Sequence, residues 1–262
     1  MKQGGTKRPF RFQQFEVRDQ GAAMKVGTDG VLLGSWAPVR GAKRTIDIGT
    51  GCGLIALMIG QRTAAPKTVV HAIDVDSAAA AQALENFSNS PWSERLPNRL
   101  SEIHLSLQEL TAGLDRESPY DLAVCNPPFF SNSYLPDSAP RQRARHSDQL
   151  PRRSLFVDAH SILSATGRLC LVLPYEQAIE TIQIAAEEGF GLLSRTDVRP
   201  NPTAELKRVL LEFTKRREGR HRNGSEIVHT ELIVESKRHE FTAEYRTLTR
   251  DFHLRFAADD KN

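Results

Sequence analysis

No run of 18 apolar residues occurs in the 262-residue chain, so the sequence offers no helix that would cross a membrane. Its first eleven residues are polar and basic with no apolar stretch, which predicts no secretory signal. Cysteine is scarce: Cys52, Cys125 and Cys170 stand far apart in apolar surroundings, with no CxxC and no metal-ligand spacing. Isolated thiols in odd number argue against a disulfide scaffold and fit buried free cysteines in a reducing cytoplasm. A large excess of one charge is missing too. Against 32 acidic residues stand 35 basic ones, a net charge of +3 that permits a nucleic-acid partner without demanding one. Repeats, low-complexity tracts and linkers are absent. With 39% apolar residues, the length suits one domain over 1–262. We divide it into an arm and lid segment (1–42), a core (43–215) and a C-terminal hairpin and tail (216–262).

What is there is concentrated in Tyr120–Phe130, Y-D-L-A-V-C-N-P-P-F-F. Leu122 to Cys125 form a short apolar run, the mark of a strand buried on both faces. Pro127 cannot donate to a sheet ladder, so the strand stops at Asn126. Pro128 holds Pro127 extended and fixes where its carbonyl points. An amide side chain, a constrained carbonyl and the ring of Phe129 thus meet at the carboxyl end of a buried strand, the edge at which open α/β sheets bind ligands. This arrangement suits attack by a planar, weakly nucleophilic NH2. If the Asn126 oxygen and the Pro127 carbonyl each accept one N–H, the nitrogen lone pair turns toward an electrophile and the developing positive charge is stabilised. Phe129 can stack on the flat group, a contact worth roughly 1–3 kcal/mol for a base. A plain Asn-Pro turn accounts for the same residues, so the upstream motifs decide.

Thr45–Ile48 is a short predicted strand that runs into G-T-G-C-G (49–53) and then an apolar helix. Strand, glycine turn and helix make the geometry of nucleotide-cofactor sites, because the backbone can turn sharply and approach a ligand closely. The spacing is G-x-G-x-G, and the acidic Asp47 precedes it. A carboxylate there would repel a pyrophosphate and suits a cationic amino-acid moiety, which favours S-adenosylmethionine over a dinucleotide. Asp74 ends the second predicted strand, Val69–Ile73, where a carboxylate can accept both hydroxyls of a ribose. Asp76 reads as the N-cap of a helix over Ser77–Ser90. Ile103–Leu105 reads as a third strand, with Ser106–Gln108 bordering the adenine of the cofactor.

Elsewhere the signals are weaker. Residues 1–22 alternate in places and predict a β-ribbon or arm. M-K-V-G-T-D-G (24–30) precedes a short helix ending near Pro38, with Thr28 or Asp29 as its N-cap; Lys25–Asp29 reads equally as a capped helix start and as a lid over a small molecule. Ser131–Ser154 carries Arg141, Arg143, Arg145, His146, Arg152 and Arg153 against Asp137 and Asp148, a basic segment placed for RNA phosphate contacts. Leu155–Leu163 and Tyr175–Glu188 read as helices, the second closed by Gly189. Gly167–Leu173, Leu192–Val198, Val209–Thr214 and Ile227–Val234 read as strands. Residues 215–224 form a basic turn, and Glu240–Phe256 a tail helix with a strand-like end.

The pair D-I-G-T-G-C-G (47–53) and N-P-P-F (126–129) resembles the class I S-adenosylmethionine-dependent methyltransferases that act on amino groups. More narrowly, residues 24–37, the helix 78–86 and the tail 244–252 are similar to the bacterial tRNA1(Val) (adenine(37)-N6)-methyltransferase family over nearly the whole chain. That resemblance implies a Rossmann-like α/β fold, a mostly parallel seven-stranded twisted sheet with helices on both faces. It implies methyl transfer from S-adenosyl-L-methionine to N6 of the adenosine 3′ of the anticodon, by a cytoplasmic monomer that needs no metal. Asn126, Pro127, Pro128 and Phe129 are then the base-holding residues. Lys25, Gly27, Thr28, Asp29, Asp47, Gly49, Thr50, Gly51, Gly53, Asp74, Val75, Leu107 and Asn126 become cofactor contacts. Two departures stand out. Relatives more often have tyrosine at Phe129, and usually an acidic residue where this chain has Ser106 or Leu107. A guanine-N2 methyltransferase of ribosomal RNA shares N-P-P-F. Protein-glutamine methyltransferases share Asn-Pro-Pro but carry a sizeable helical N-terminal domain, whereas only 44 residues precede Thr45 here. An RNA-binding module with a disused fold would predict a damaged glycine turn.

Overall fold

The structure, a computed structural model, describes residues 8–20, 25–63, 68–93, 106–113, 119–127, 152–216 and 226–256. A two-stranded ribbon, β1 (Phe10–Arg11) and β2 (Glu16–Val17), forms the predicted arm. After it come α1 (Thr28–Trp36), β3 (Arg44–Ile48), α2 (Leu54–Arg62), β4 (Val69–Ile73), α3 (Ser77–Ser88) and α4 (Leu107–Gly113). The chain continues through β5 (Tyr120–Cys125), α5 (Arg152–Ile162), β6 (Leu163–Pro174), a 3-10 turn and α6 (Ala178–Glu187). It closes with β7 (Phe190–Arg199), β8 (Arg208–Lys215), β9 (Val228–Ile233), the small hairpin β10 (Glu235–Lys237) and β11 (Glu240–Phe241), and α7 (Ala243–Thr249).

Seven of these strands make one sheet in the order β4-β3-β5-β6-β8-β7-β9. Only the β6–β8 and β7–β8 pairs are antiparallel, so β8 alone runs against the others. The fold is the expected mostly parallel, Rossmann-like sheet. One strand of the count differs: β9 joins the sheet beside β7 as its seventh described strand, while Ile103–Leu105 lies outside the described residues.

The strands read as continuous apolar runs because both faces are covered. Leu122, Val124, Cys170 and Val172 face one core with α1, α2, α3, the arm and the tail. Ile46, Ile48, Ala123, Cys125, Leu169 and Leu171 face the other, with α5 and α6. On the first face α1 crosses α2 closely, since a Cβ on Gly34 would lie 2.7 Å from the Met58 sulfur. Arg62 ties the two helices by donating to the Gly34 and Ala37 carbonyls, both at 2.8 Å. That packing sets the start of α1 beside the glycine turn.

Three expectations change. The N-cap of α1 is Gly27, in extended conformation and with no side-chain cap; the Asp29 carboxylate instead accepts from Arg208, 2.9 Å away. The helix expected over Leu155–Leu163 begins at Arg152, and Leu163 already opens β6. Leu254–Phe256 is a 3-10 turn, not strand-like, because Phe256 packs into the core with Tyr245 and Phe252.

Candidate active site

The glycine turn joins β3 to α2 at the carboxyl edge of the sheet. Gly49, Gly51 and Gly53 have φ of 70°, 58° and 83°, a region that side chains rarely adopt. The amides of Gly49 and Thr50 both donate to the Ile73 carbonyl, at 2.9 and 3.0 Å. The turn is thereby anchored to the end of β4. Asp74, the next residue, accepts from the Gly51 amide at 2.8 Å and from Asp76 N at 2.9 Å. Burial raises its pKa, an effect that these two amides and that of Val75 oppose. Asp76 itself caps α3, accepting from Ala78 N at 2.9 Å, as its sequence position predicts.

Asp47 lies beneath the turn, fully buried, between Ile46 and Ile48 of β3. One carboxylate oxygen accepts from the Thr50 hydroxyl at 2.7 Å and from Ala56 N, in the first turn of α2, at 3.1 Å. The other is buried without a hydrogen-bond partner among the described residues. Burial pushes this carboxyl up to about 7 even though both donors favour its charged form.

β5 delivers Asn126 to the same edge. Its side-chain oxygen is buried and has no partner among the described residues. A cavity of about 620 Å³ opens there, lined by Lys25, Gly27, Thr28, Asp29, Gly49, Thr50, Gly51 and Asn126. The structure therefore brings together three segments singled out in the sequence: the lid, the glycine turn and the Asn-Pro strand end.

Other expected site residues fall elsewhere. Gly53 packs against Phe87, and Val75 is 42% exposed. Leu107 is 2% exposed in the core with Ile73 and Phe156, because a reciprocal Ser106–Glu109 cap starts α4 and turns Leu107 inward. Pro127 is buried beside Asn126, while Pro128, Phe129, Arg141, Arg143 and Arg145 lie outside the described residues. Arg152 and Arg153 are on α5 and pair with acids of α6 and its end: Arg152 with Glu180 at 2.5 Å, Arg153 with Glu187 and Glu188. Their charge is already partnered within the chain.

Sequence reasoning missed the far wall of the cavity, which is made of Val198, Pro200, Asn201, Lys207, Arg208, Val234 and Glu235. They come from the ends of β7 and β9 and the start of β8. Their signal is topological: β8 runs antiparallel, so its first residues reach the edge where the other strands end. The three cysteines are free and buried, as expected, and burial lifts the Cys52 thiol to about 11. Among the described residues no group of three His, Cys, Asp or Glu could hold a metal ion, and no helix is long and apolar enough to cross a membrane.

A mostly parallel sheet with a glycine turn after one strand, an acid closing its neighbour and Asn-Pro closing the next defines a class I methyltransferase. Residues 25–194 match the family model described as the Methyltransferase small domain. The chain belongs to that family and, within it, to the tRNA1(Val) (adenine(37)-N6)-methyltransferases. It is 41% identical over 247 residues to the protein of that name from Flavobacterium psychrophilum, covering 94% of this chain and 99% of the relative. The same named protein from Trichodesmium erythraeum is 39% identical, covering 94% and 98%. In fold the chain is similar to the crystal structure of a predicted O-methyltransferase from Agrobacterium tumefaciens, with a TM-score of 0.63 and 22% identity over 86% of this chain and 96% of that one.

The cofactor of this class is S-adenosyl-L-methionine, and the site fits it. A Cβ on Gly49 or Gly51 would meet no atom of the described residues within 4 Å, so the space beside the turn is open to a ligand. Asn126 brings to the cavity an acceptor without a partner among the described residues, and Asp47 keeps another beneath the turn.

Proposed function

We propose that this protein methylates N6 of an adenosine in tRNA, adenosine 37 of tRNA1(Val), with S-adenosyl-L-methionine as donor. The observation that carries this reading is the Asn126 oxygen at the end of β5, buried on the cavity and without a partner among the described residues. An acceptor left unsatisfied in a buried place is costly, on the order of 1–3 kcal/mol, unless a ligand supplies the donor. A base amine is such a donor. The substrate identity comes from relatives named tRNA1(Val) (adenine(37)-N6)-methyltransferase that align over nearly all of the chain.

When bound, the cofactor supplies an electrophilic methyl group on a sulfonium. The chain's own residues do the rest. Asn126 Oδ1 and the Pro127 carbonyl accept the two amine hydrogens, turning the lone pair out of the ring plane and balancing the charge that grows on nitrogen. Asp74, held by amides of Gly51, Val75 and Asp76, offers its carboxylate to a ribose, and Gly49, Thr50 and Gly51 lend backbone to the amino-acid part. Lys25–Asp29 covers that part, and Phe129 stacks on the base. Asp47 braces the turn from below. Positioning of this kind lowers a barrier by roughly 7–11 kcal/mol. The amine loses its proton only after attack, when it is acidic, so no strong base is needed. Arg141, Arg143 and Arg145 supply phosphate contacts, and the buried free thiols suit the cytoplasm, where tRNA resides.

The test is transfer from labelled cofactor to tRNA that lacks the modification, followed by nucleoside analysis. The expected product is N6-methyladenosine at position 37 of one valine tRNA. Label in ribosomal RNA or in protein, with none in tRNA, would overturn the substrate.

A further inference from the structure

Asn86, in the last turn of α3, is 3% exposed and reaches two segments far away in sequence. Its amide pairs with the backbone of Arg18 in the arm as a neighbouring strand would. Oδ1 accepts from Arg18 N at 2.9 Å, and Nδ2 donates to the Arg18 carbonyl at 2.7 Å. The second Nδ2 hydrogen goes to the Cys52 carbonyl, inside the glycine turn, at 2.8 Å. Only a short side chain with two donors and an acceptor can serve all three groups. Aspartate has no donor, and glutamine is one methylene too long for a site packed between α3 and the turn.

The next arm residue carries the connection to the lid. Asp19 accepts from Val26 N at 3.3 Å through its carboxylate and from the Lys25 ammonium at 2.5 Å through its carbonyl. At the other end of the lid, Asp29 is held by Arg208. The glycine turn, the arm and the lid are thus fixed relative to one another by one buried amide and the residue beside its partner.

We propose that Asn86 is a positioning residue that straps the arm to the glycine turn and so holds Lys25–Asp29 over the cofactor. This inference rests on the reading of Lys25–Asp29 as part of the cofactor site. It makes the arm a component of cofactor affinity. Asn86 takes no part in the transfer step, so its loss raises the concentration of cofactor required while the rate at saturation stays within about threefold.

The test uses the full chain, with S-adenosylhomocysteine as the probe, titrated by calorimetry well below the melting temperature of each protein. Asn86→Ala is expected to weaken binding at least tenfold and to speed amide exchange over residues 16–19 and 25–30. A core variant on the opposite face, Phe190→Leu, serves as a control that loses stability alone and keeps wild-type affinity. Asp19→Ala leaves the buried amide and the Lys25 contact with the residue-19 carbonyl in place but removes the carboxylate that holds Val26 N, and is expected to weaken binding several-fold; if Asn86→Ala fails to fold, this variant decides. Wild-type affinity in Asp19→Ala, or in a folded Asn86→Ala, would overturn the strap. Should the probe fail to slow exchange at residues 25–30 of the wild-type protein, the lid reading falls and the inference with it.

Discussion

The two walls of the cavity are built from different interactions. The glycine-turn wall is held by buried polar groups: Asp47 beneath it, Asp74 and the Ile73 carbonyl behind it, and Asn86 at its side. The wall at the ends of β7–β9 is tied by ion pairs nearer to solvent, such as Asp29–Arg208 and Arg199–Glu231. A buried polar group that loses its partner costs the full penalty of its desolvation, about 1–3 kcal/mol or more if charged. A pair near the surface contributes about 0–1 kcal/mol. The first wall is therefore the more rigid of the two, and the second the cheaper to disturb.

The largest effect is expected at the junction of the walls. Asn126→Ala removes one acceptor of the reacting amine and should lower the transfer rate by on the order of 10²–10³, with cofactor affinity little changed. Single-turnover kinetics alongside equilibrium binding would separate the two; wild-type turnover would sink the assignment. Next comes the rigid wall itself. Gly53 combines a φ of 83° with a Cβ position 2.7 Å from Phe87, so Gly53→Ala should cost roughly 2–5 kcal/mol of stability. Gly49→Ala, where the same Cβ meets open space, should cost about 1–2 kcal/mol and instead weaken cofactor binding. Denaturant melts and ligand titrations on the pair would distinguish these outcomes.

Protons offer a third way to sharpen the contrast. The folded-state pKa of Asp47 is raised from 3.8 to about 7 by burial. Between those values the folded protein holds a proton that the unfolded chain has released, so Asp47 makes stability fall as pH rises from about 4 to about 7, with the full penalty above. Asp74 is shifted in the same direction. Asp47→Asn should flatten that part of the ligand-free protein's stability–pH curve; an unchanged slope would mean that Asp47 does not titrate there. The smallest effect belongs to the second wall: Arg208→Ala should cost no more than about 1 kcal/mol in a melt, and less at high salt.

The same division governs how much the sequence reveals. The rigid wall is local in the chain. Ile46–Ile48 leads straight into the turn, Leu122–Cys125 straight into Asn126, and Val69–Ile73 straight into Asp74, so apolar runs ending in glycine, proline or an acid mark it directly. The second wall is assembled by topology. Nothing near Lys207 or Arg208 says that β8 will run backwards, or that Arg208 will draw Asp29 away from capping α1. Leu107 shows a related limit: its position after a predicted strand pointed to the cofactor, and nothing in that position tells that the Ser106–Glu109 cap turns its side chain into the core.

Gln13 of the arm donates its backbone amide to the Phe252 carbonyl at 3.0 Å and its side chain to the His253 carbonyl at 2.9 Å. The arm thus depends on partners that lie far later in the chain. Until some 240 further residues have been made, the arm lacks these partners on the tail. The arrival of that tail segment supplies them.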